Sequence, residues 1–194
     1  VSATAPTRER LLAAARELVE ERGYAGASVI AVAERAGLAA GTLYRHFSSK
    51  EELFVELFRV VCDREIEAMR AAAAEPLSHG ERLVRVLLTF AERALRRPRL
   101  AWALLAEPVT PGIDAERLAY RARYRELLAV TLRDAIAAGE VPDQDVALTS
   151  AALVGGCAEV LVGPLADDRG GPADAAATVD ALASFVRRAV GACA

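Results

Sequence analysis

Residues 28–47 read Ser28-Val29-Ile30-Ala31-Val32-Ala33-Glu34-Arg35-Ala36-Gly37-Leu38-Ala39-Ala40-Gly41-Thr42-Leu43-Tyr44-Arg45-His46-Phe47. Two short runs of helical period stand here, the first opened by Ser28 and closed by Gly37, the second beginning at Ala40. A helix-turn-helix packs two short helices at a steep angle through a tight turn. Ala33 is the small residue that allows close approach, and Gly37 tolerates the positive φ of the turn. Val29 or Ile30, with Val32, Leu38, Leu43 and Phe47, are spaced to lock the pair together. Ala39, Ala40, Gly41, Thr42, Tyr44, Arg45 and His46 are then left outside. The N-terminal end of such a second helix is the part that enters a DNA major groove.

Working outward, Leu11, Leu12, Ala15, Leu18 and Val19 make an apolar stripe upstream, which supplies the third wall of a small core. Thr7 is its expected N-cap and Gly23 its stop. Downstream, Ser48 with Glu51 has capping-box spacing and opens a long helix through Leu53, Phe54, Leu57, Phe58, Val61, Cys62, Ile66 and Met69 to about Ala74. Ser78 with Glu81 repeats that spacing, for a helix to about Arg97. A short apolar helix follows Pro98, a long one runs from Asp114 to Ala138, an apolar one from Val146 to Ala166, and a last one from about Asp174 to Val190. Residues 167–172 read as a polar, Gly-rich loop. No alternating segment between hairpin turns suggests a strand. The expected fold is all-α, about nine helices: an N-terminal three-helix helix-turn-helix domain (residues 1–50) and a larger C-terminal helical bundle (residues 51–194).

Composition agrees. The 194 residues are 54% hydrophobic and 26% charged, which excludes wholesale disorder. Forty-three alanines favour helix. The net charge of -3 excludes a polycation, yet residues 1–50 carry 7 basic and 5 acidic residues against 17 and 22 in the remainder. The sign of that local excess suits DNA. Cys62, Cys157 and Cys193 form no CxxC, so neither a disulfide framework nor a zinc site is expected. His46 and His79 are the only histidines and sit in no metal or triad pattern. With no nucleophile–base pair and no phosphate loop, no enzyme, cofactor or metal is expected. No export signal opens the sequence, so a cytoplasmic location is expected. Val146–Ala166 is long enough to cross a bilayer. Its Thr149, Ser150, Gly155-Gly156 pair, Glu159 and Pro164 favour instead a buried or interfacial helix of a protein with no membrane partner.

The run from Ala36 through Gly41-Thr42-Leu43-Tyr44-Arg45-His46-Phe47 to Ser49-Lys50-Glu51-Glu52-Leu53 resembles the signature of the TetR family of bacterial repressors. That resemblance covers about the first 55 residues. It implies a homodimer whose two recognition helices read a palindromic operator in double-stranded DNA, with a C-terminal domain that holds a small effector and also dimerises. By motif position, Ser28, Gly41, Thr42, Tyr44, His46 and Lys50 match places where the family contacts DNA. At Ala39 and Ala40 this sequence departs from the family's more polar pattern, which places weight on Arg45, able to bond guanine or clamp a phosphate. Ala40 remains a candidate contact. Each residue also has a plainer reading: Phe47 as a core aromatic, His46 as a structural histidine, Lys50 as a surface charge.

The C-terminal domain offers less chemistry. Its last two apolar helices, with Leu153, Gly156, Val160, Leu182 and Phe185, suit an isologous four-helix dimer interface. Phe90, Trp102, Tyr120 and Tyr124 are candidate walls of an effector pocket, although the first reading of Trp102 is a core tryptophan. Glu159, alone in an apolar helix, either lines that pocket or pairs with an arginine such as Arg187 or Arg188. Arg117, Arg121 and Arg125 stripe one helix face, either solvated or facing an anionic effector. Two functions fit: a repressor released by a small molecule, or a constitutive DNA-binding protein of the same fold with a collapsed C-terminal core.

Overall fold

The computed structural model describes residues 6–166 and 172–191. Within them the chain forms nine α-helices and no strand: α1 Thr7–Gly26, α2 Val29–Arg35, α3 Ala40–His46, α4 Lys50–Ala73, α5 His79–Arg96, α6 Pro98–Leu105, α7 Pro111–Ala137, α8 Val146–Ala166 and α9 Pro172–Val190. Cys193 and residues 167–171 of the expected polar loop lie outside the described residues.

Helix α4 is the spine. Its N-terminal Leu53 closes the core of the first three helices, and Leu57, Val61, Cys62, Ile66 and Met69 continue the same stripe into the larger bundle. That periodicity is the physical reason one helix serves two domains: each buried Leu or Ile removes enough apolar surface for about 1.5–3 kcal/mol. Helix α4 packs on α5 and α7, α5 on α7, α8 and α9, and α6 on both α1 and α8.

The helix ends explain the boundaries. Ser78 Oγ accepts from the Glu81 backbone N–H, as its spacing suggests. Glu81 then turns to Arg187 on α9 through two bonds of 2.9 Å rather than back to its own cap. At α4 the cap lies one residue later than expected: Ser49 Oγ accepts from Glu52 N–H, and the Glu52 carboxylate takes both the N–H and the hydroxyl of Ser48. The displaced Glu51 accepts from Gly112 N–H at the start of α7. Thr7 is the first helical residue rather than the cap, since Pro6 holds the cap position. Gly23 does break α1, at φ 72°, but the chain resumes one more turn to Gly26.

Helix α8 has the length and apolar composition of a membrane span. Leu153, Cys157, Leu161 and Leu165 are buried against the bundle, while Leu148 and Val160 on its other side are exposed.

Candidate functional site

Helices α2 and α3 form the expected helix-turn-helix. Ser28 caps α2 by accepting from Ala31 N–H at 3.1 Å. Gly37 adopts φ +67°, and the N–H groups of Gly37 and Leu38 return to the carbonyls of Glu34 and Ala33. Val32, Ala33, Leu43 and Phe47 are buried, and Val29 packs on the core. Ile30, the alternative to Val29, is 62% exposed. Two arginines of α1 hold the pair from behind: Arg10 donates to the Ala36 carbonyl at 2.6 Å and Arg8 to the His46 carbonyl at 2.8 Å. Cations at the carbonyl ends of α2 and α3 also complement the helix dipoles. Arg8 further pairs with Glu56 and lies over the Phe47 ring.

Outward, Ala39, Ala40, Gly41, Tyr44 and Arg45 are exposed, with Thr42 and His46 half-buried beside them. No side chain caps the first turn of α3. A Cβ added at Gly41 would meet nothing within 4 Å, so nothing within the chain requires a glycine there. Most of the other basic residues on this unit are committed: Arg35 to Glu21 and Glu17, Arg16 to Glu20, Arg8 and Arg10 as above. Arg45 touches only the Thr42 hydroxyl, at 3.2 Å. Among the described residues it is the exposed cation of α3 with no carboxylate partner, placed where a phosphate or a guanine edge would supply one.

Lys50 stands apart from this group. Its ammonium lies 4.7 Å from the Tyr24 ring centroid and donates to the Tyr24 carbonyl at 3.4 Å. Burial lowers its pKa, opposed by Glu107. The structure therefore directs Lys50 into the joint between the two domains, a role that sequence reading missed.

That joint is built around the break at Gly23. Where α1 loses its ladder, the Glu107 carboxylate after α6 accepts from Tyr24 N–H at 2.9 Å and Ala25 N–H at 3.1 Å. Arg99 of α6 donates to the Glu21 carbonyl, and Arg97 pairs with Glu20 at 2.8 Å. A side chain at Gly23 would crowd the Glu107 oxygens at 3.1–3.2 Å, so the turn needs glycine for conformation and for space.

Behind α6 lie two adjoining chambers, partly open to solvent, with about 660 and 400 Å³ of space between atoms when that open solvent is included. Phe90, Leu105, Arg121 and Tyr124 line both. The first is walled by α4, α5, α6 and α7, and the second runs on to Leu128, Val154 and Cys157. Phe90, Tyr120 and Tyr124 thus meet as expected, with Phe90 and Tyr124 ring centroids 5.4 Å apart. Tyr120 donates to Asp63 at 2.8 Å, and burial pushes its pKa up to about 12. Burial also holds the Cys62 thiol up at about 12 and raises Tyr124, so both stay neutral.

Two expected wall residues lie elsewhere. Trp102 is half-buried against the core but lines neither chamber, because Leu100, Ala101, Leu104 and Leu105 make the facing side of α6. Glu159 is exposed on α8 and lines neither chamber. Of the expected interface residues, Leu153 and Leu182 are each 2% exposed and belong to the chain's own core, whereas Val160 and Phe185 are 46% and 43% exposed. Gly156 is half-exposed, and a Cβ there would lie 3.8 Å from the Phe185 ring, where α8 meets α9.

With that geometry in view, the comparisons with known proteins are specific. Residues 11–57 match the family model for bacterial regulatory proteins of the tetR family, and residues 76–162 match a tetracyclin repressor-like C-terminal domain. The HTH-type transcriptional regulator UidR of Escherichia coli K12 is 31% identical over 164 residues, 84% of this chain and 81% of that protein. The fold is that of the FadR regulator from Bacillus subtilis (TM-score 0.79, 24% identity, 92% and 96% of the two chains). A TetR/AcrR regulator from Thermobifida fusca superposes similarly (TM-score 0.75, 25% identity, 92% and 95%). The chain belongs to the TetR family of bacterial regulatory proteins. It is a DNA-binding transcriptional regulator.

Proposed function

We propose that this regulator is a homodimeric repressor that leaves a palindromic operator when a small molecule fills the chambers behind α6. The observation that carries this reading is the position of α6, with the chambers on one side and α1 of the DNA-binding unit on the other. A ligand that displaces α6 must act on the Glu107 contact to α1, and so on the spacing of the two recognition helices. Successive major grooves on one face of DNA stand about 34 Å apart, and a dimer with another spacing fits them poorly.

On the DNA side, Ser28, Ala40, Gly41, Thr42, Tyr44, Arg45 and His46 are the proposed contacts, with Arg45 as the uncompensated charge. Lys50 acts at the domain joint instead. For assembly, the unpartnered apolar side of α8 and α9, around Leu148, Val160 and Phe185, suits an isologous contact with a second copy. Glu159, exposed on the same helix, is part of that surface. The constitutive alternative would be favoured by a collapsed core, whereas this chain keeps two adjoining, largely apolar chambers behind α6. The B. subtilis FadR structure holds stearoyl-CoA, so this fold accommodates an acyl ligand.

The test is selection of genomic fragments by the purified protein at about 150 mM salt, where non-specific phosphate contacts are weakened. One palindromic sequence is expected, bound by two chains and released by a small-molecule fraction of the cytosol. A palindrome that no fraction releases would favour the constitutive reading, and recovery of no common sequence would overturn the proposal.

A further inference from the structure

The chambers are lined by four arginines and one carboxylate: Arg93, Arg97, Arg117, Arg121 and Glu65. Three of these arginines are already satisfied. Arg93 binds Glu65 through two bonds of 2.5 and 2.9 Å. Arg97 pairs with Glu20 at 2.8 Å. Arg117 donates to the carbonyls of Ala103, Leu104 and Glu107 at 2.6–2.8 Å and pairs with Asp114, which fastens α7 to the end of α6. Arg121 is different. It lines both chambers and is exposed at their junction, with no hydrogen bond or ion pair among the described residues. The stripe seen in the sequence is therefore three residues with three fates: Arg117 structural, Arg121 at the chambers, and Arg125 exposed one turn on and lining neither.

The remaining wall is apolar, from Phe58, Val61, Leu100 and Leu104 in the first chamber to Met69 and Leu128 in the second. A lone uncompensated guanidinium at the mouth of an apolar gallery sets the ligand's chemistry. A cation meets an excess of positive charge. A neutral apolar molecule fills the volume but gains nothing from Arg121, whose exposed guanidinium stays hydrated.

We infer that the effector is an anionic amphiphile: an unbranched or lightly branched apolar tail lodged in the chambers and a negatively charged group, carboxylate or phosphate, bound by Arg121. This rests on reading the chambers as the effector site, and it names the class of molecule that site takes. The planar guanidinium suits either group through paired N–H donors. Each methylene buried in the gallery tightens binding about fourfold until the tail outgrows it.

The experiment is calorimetric titration of the full-length protein with four probes sharing a twelve-carbon tail: dodecanoate, dodecanoyl-CoA, 1-dodecanol and dodecyltrimethylammonium. Either anionic probe should bind about tenfold tighter than dodecanol, with the cation weakest. The anion that binds best tells whether the charge comes from a carboxylate or from phosphates beyond a thioester. Arg121→Gln should bring the anionic probes down to the dodecanol level and leave dodecanol unchanged, while Arg125→Gln should change neither. Equal binding of dodecanol and both anions, no effect of Arg121→Gln, or an equal effect of Arg125→Gln would each overturn the inference. If the Arg121-dependent binding holds but selected operator DNA is not released, the site stands and the effector reading falls.

Discussion

Replacing Glu107 with alanine should sever the main polar contact between α6 and α1 without opening the core. The break at Gly23 turns Tyr24 and Ala25 away from the helical ladder, and the Glu107 carboxylate is the acceptor that replaces it for both N–H groups. Hydrogen bonds to a charged acceptor contribute about 1.5–3 kcal/mol each when shielded. The Tyr24 bond is part-buried and the Ala25 bond exposed, so solvent screening brings the pair to about 2 kcal/mol in all. That is roughly a thirtyfold change in a local opening equilibrium. Amide hydrogen exchange reads it directly: in Glu107→Ala the Tyr24 and Ala25 amides should exchange about thirtyfold faster, while amides of α4 and α7 keep their protection. Glu107→Gln, which keeps an acceptor oxygen but not the charge, should fall between. Under the proposed coupling of the chambers to the DNA-binding unit through this contact, the same variant should respond less to effector by up to the same factor. Exchange at Tyr24 and Ala25 within about threefold of wild type would refute the reasoning, as would a uniform rise across the chain, which would mean global destabilisation.

Other consequences follow from individual residues. Gly41→Ala meets open space and removes a helical glycine, so thermal stability should rise by up to about 1 kcal/mol. Affinity for a selected operator should nonetheless fall at least tenfold, because the added methyl stands on the DNA-facing turn; unchanged affinity would mean that turn does not approach the duplex. Phe185→Asp places a carboxylate on the exposed apolar face of α9 and by symmetry a second one opposite it. Sedimentation should then show monomer where wild type is dimer, and a persistent dimer would place the interface elsewhere. Arg187 holds the Glu81 carboxyl below its ordinary value of 4.5. The folded chain therefore binds fewer protons at Glu81 than the unfolded one, and this contribution is whole above about pH 4.5 and lost as pH falls through the folded value. Glu81→Gln should lower the melting temperature at pH 7 and flatten its decline between pH 5 and 3, a decline that calorimetry would otherwise show unaltered.

Legibility in the sequence followed the range of the interaction. Residues 28–47 could be read almost residue by residue, because a helix-turn-helix is fixed by local demands: a cap at Ser28, a positive φ at Gly37, small and apolar residues at set spacings. The limits of α8 were legible for a similar reason, since the apolar run from Val146 to Ala166 carries a single charge. Its orientation was not. Its one charge, Glu159, is exposed beside Val160, but Ser150 is buried and nearly all the rest is apolar on every side, so the pattern did not show that Leu153 turns into the chain's own core. Of the two readings of Trp102, the core one fits, since it packs against the core while the Leu100 and Leu104 side of α6 faces the chambers. Glu107 gave no signal at all. Its role depends on the break at Gly23, 84 positions earlier, which the sequence marks only as the expected stop of α1. The same joint gives the Lys50 ammonium a second set of partners, the Tyr24 ring and carbonyl, that the motif does not announce.

The central claim is that α3 reads DNA as one of a symmetric pair, and hydroxyl-radical footprinting of the selected genomic fragment tests it most directly. Wild type should protect two patches on one face of the duplex with centres about 34 Å apart, and Tyr44→Ala with Arg45→Ala should lose both patches together while the protein remains folded and dimeric. A single patch, another spacing, or a footprint unchanged by those substitutions would contradict the account.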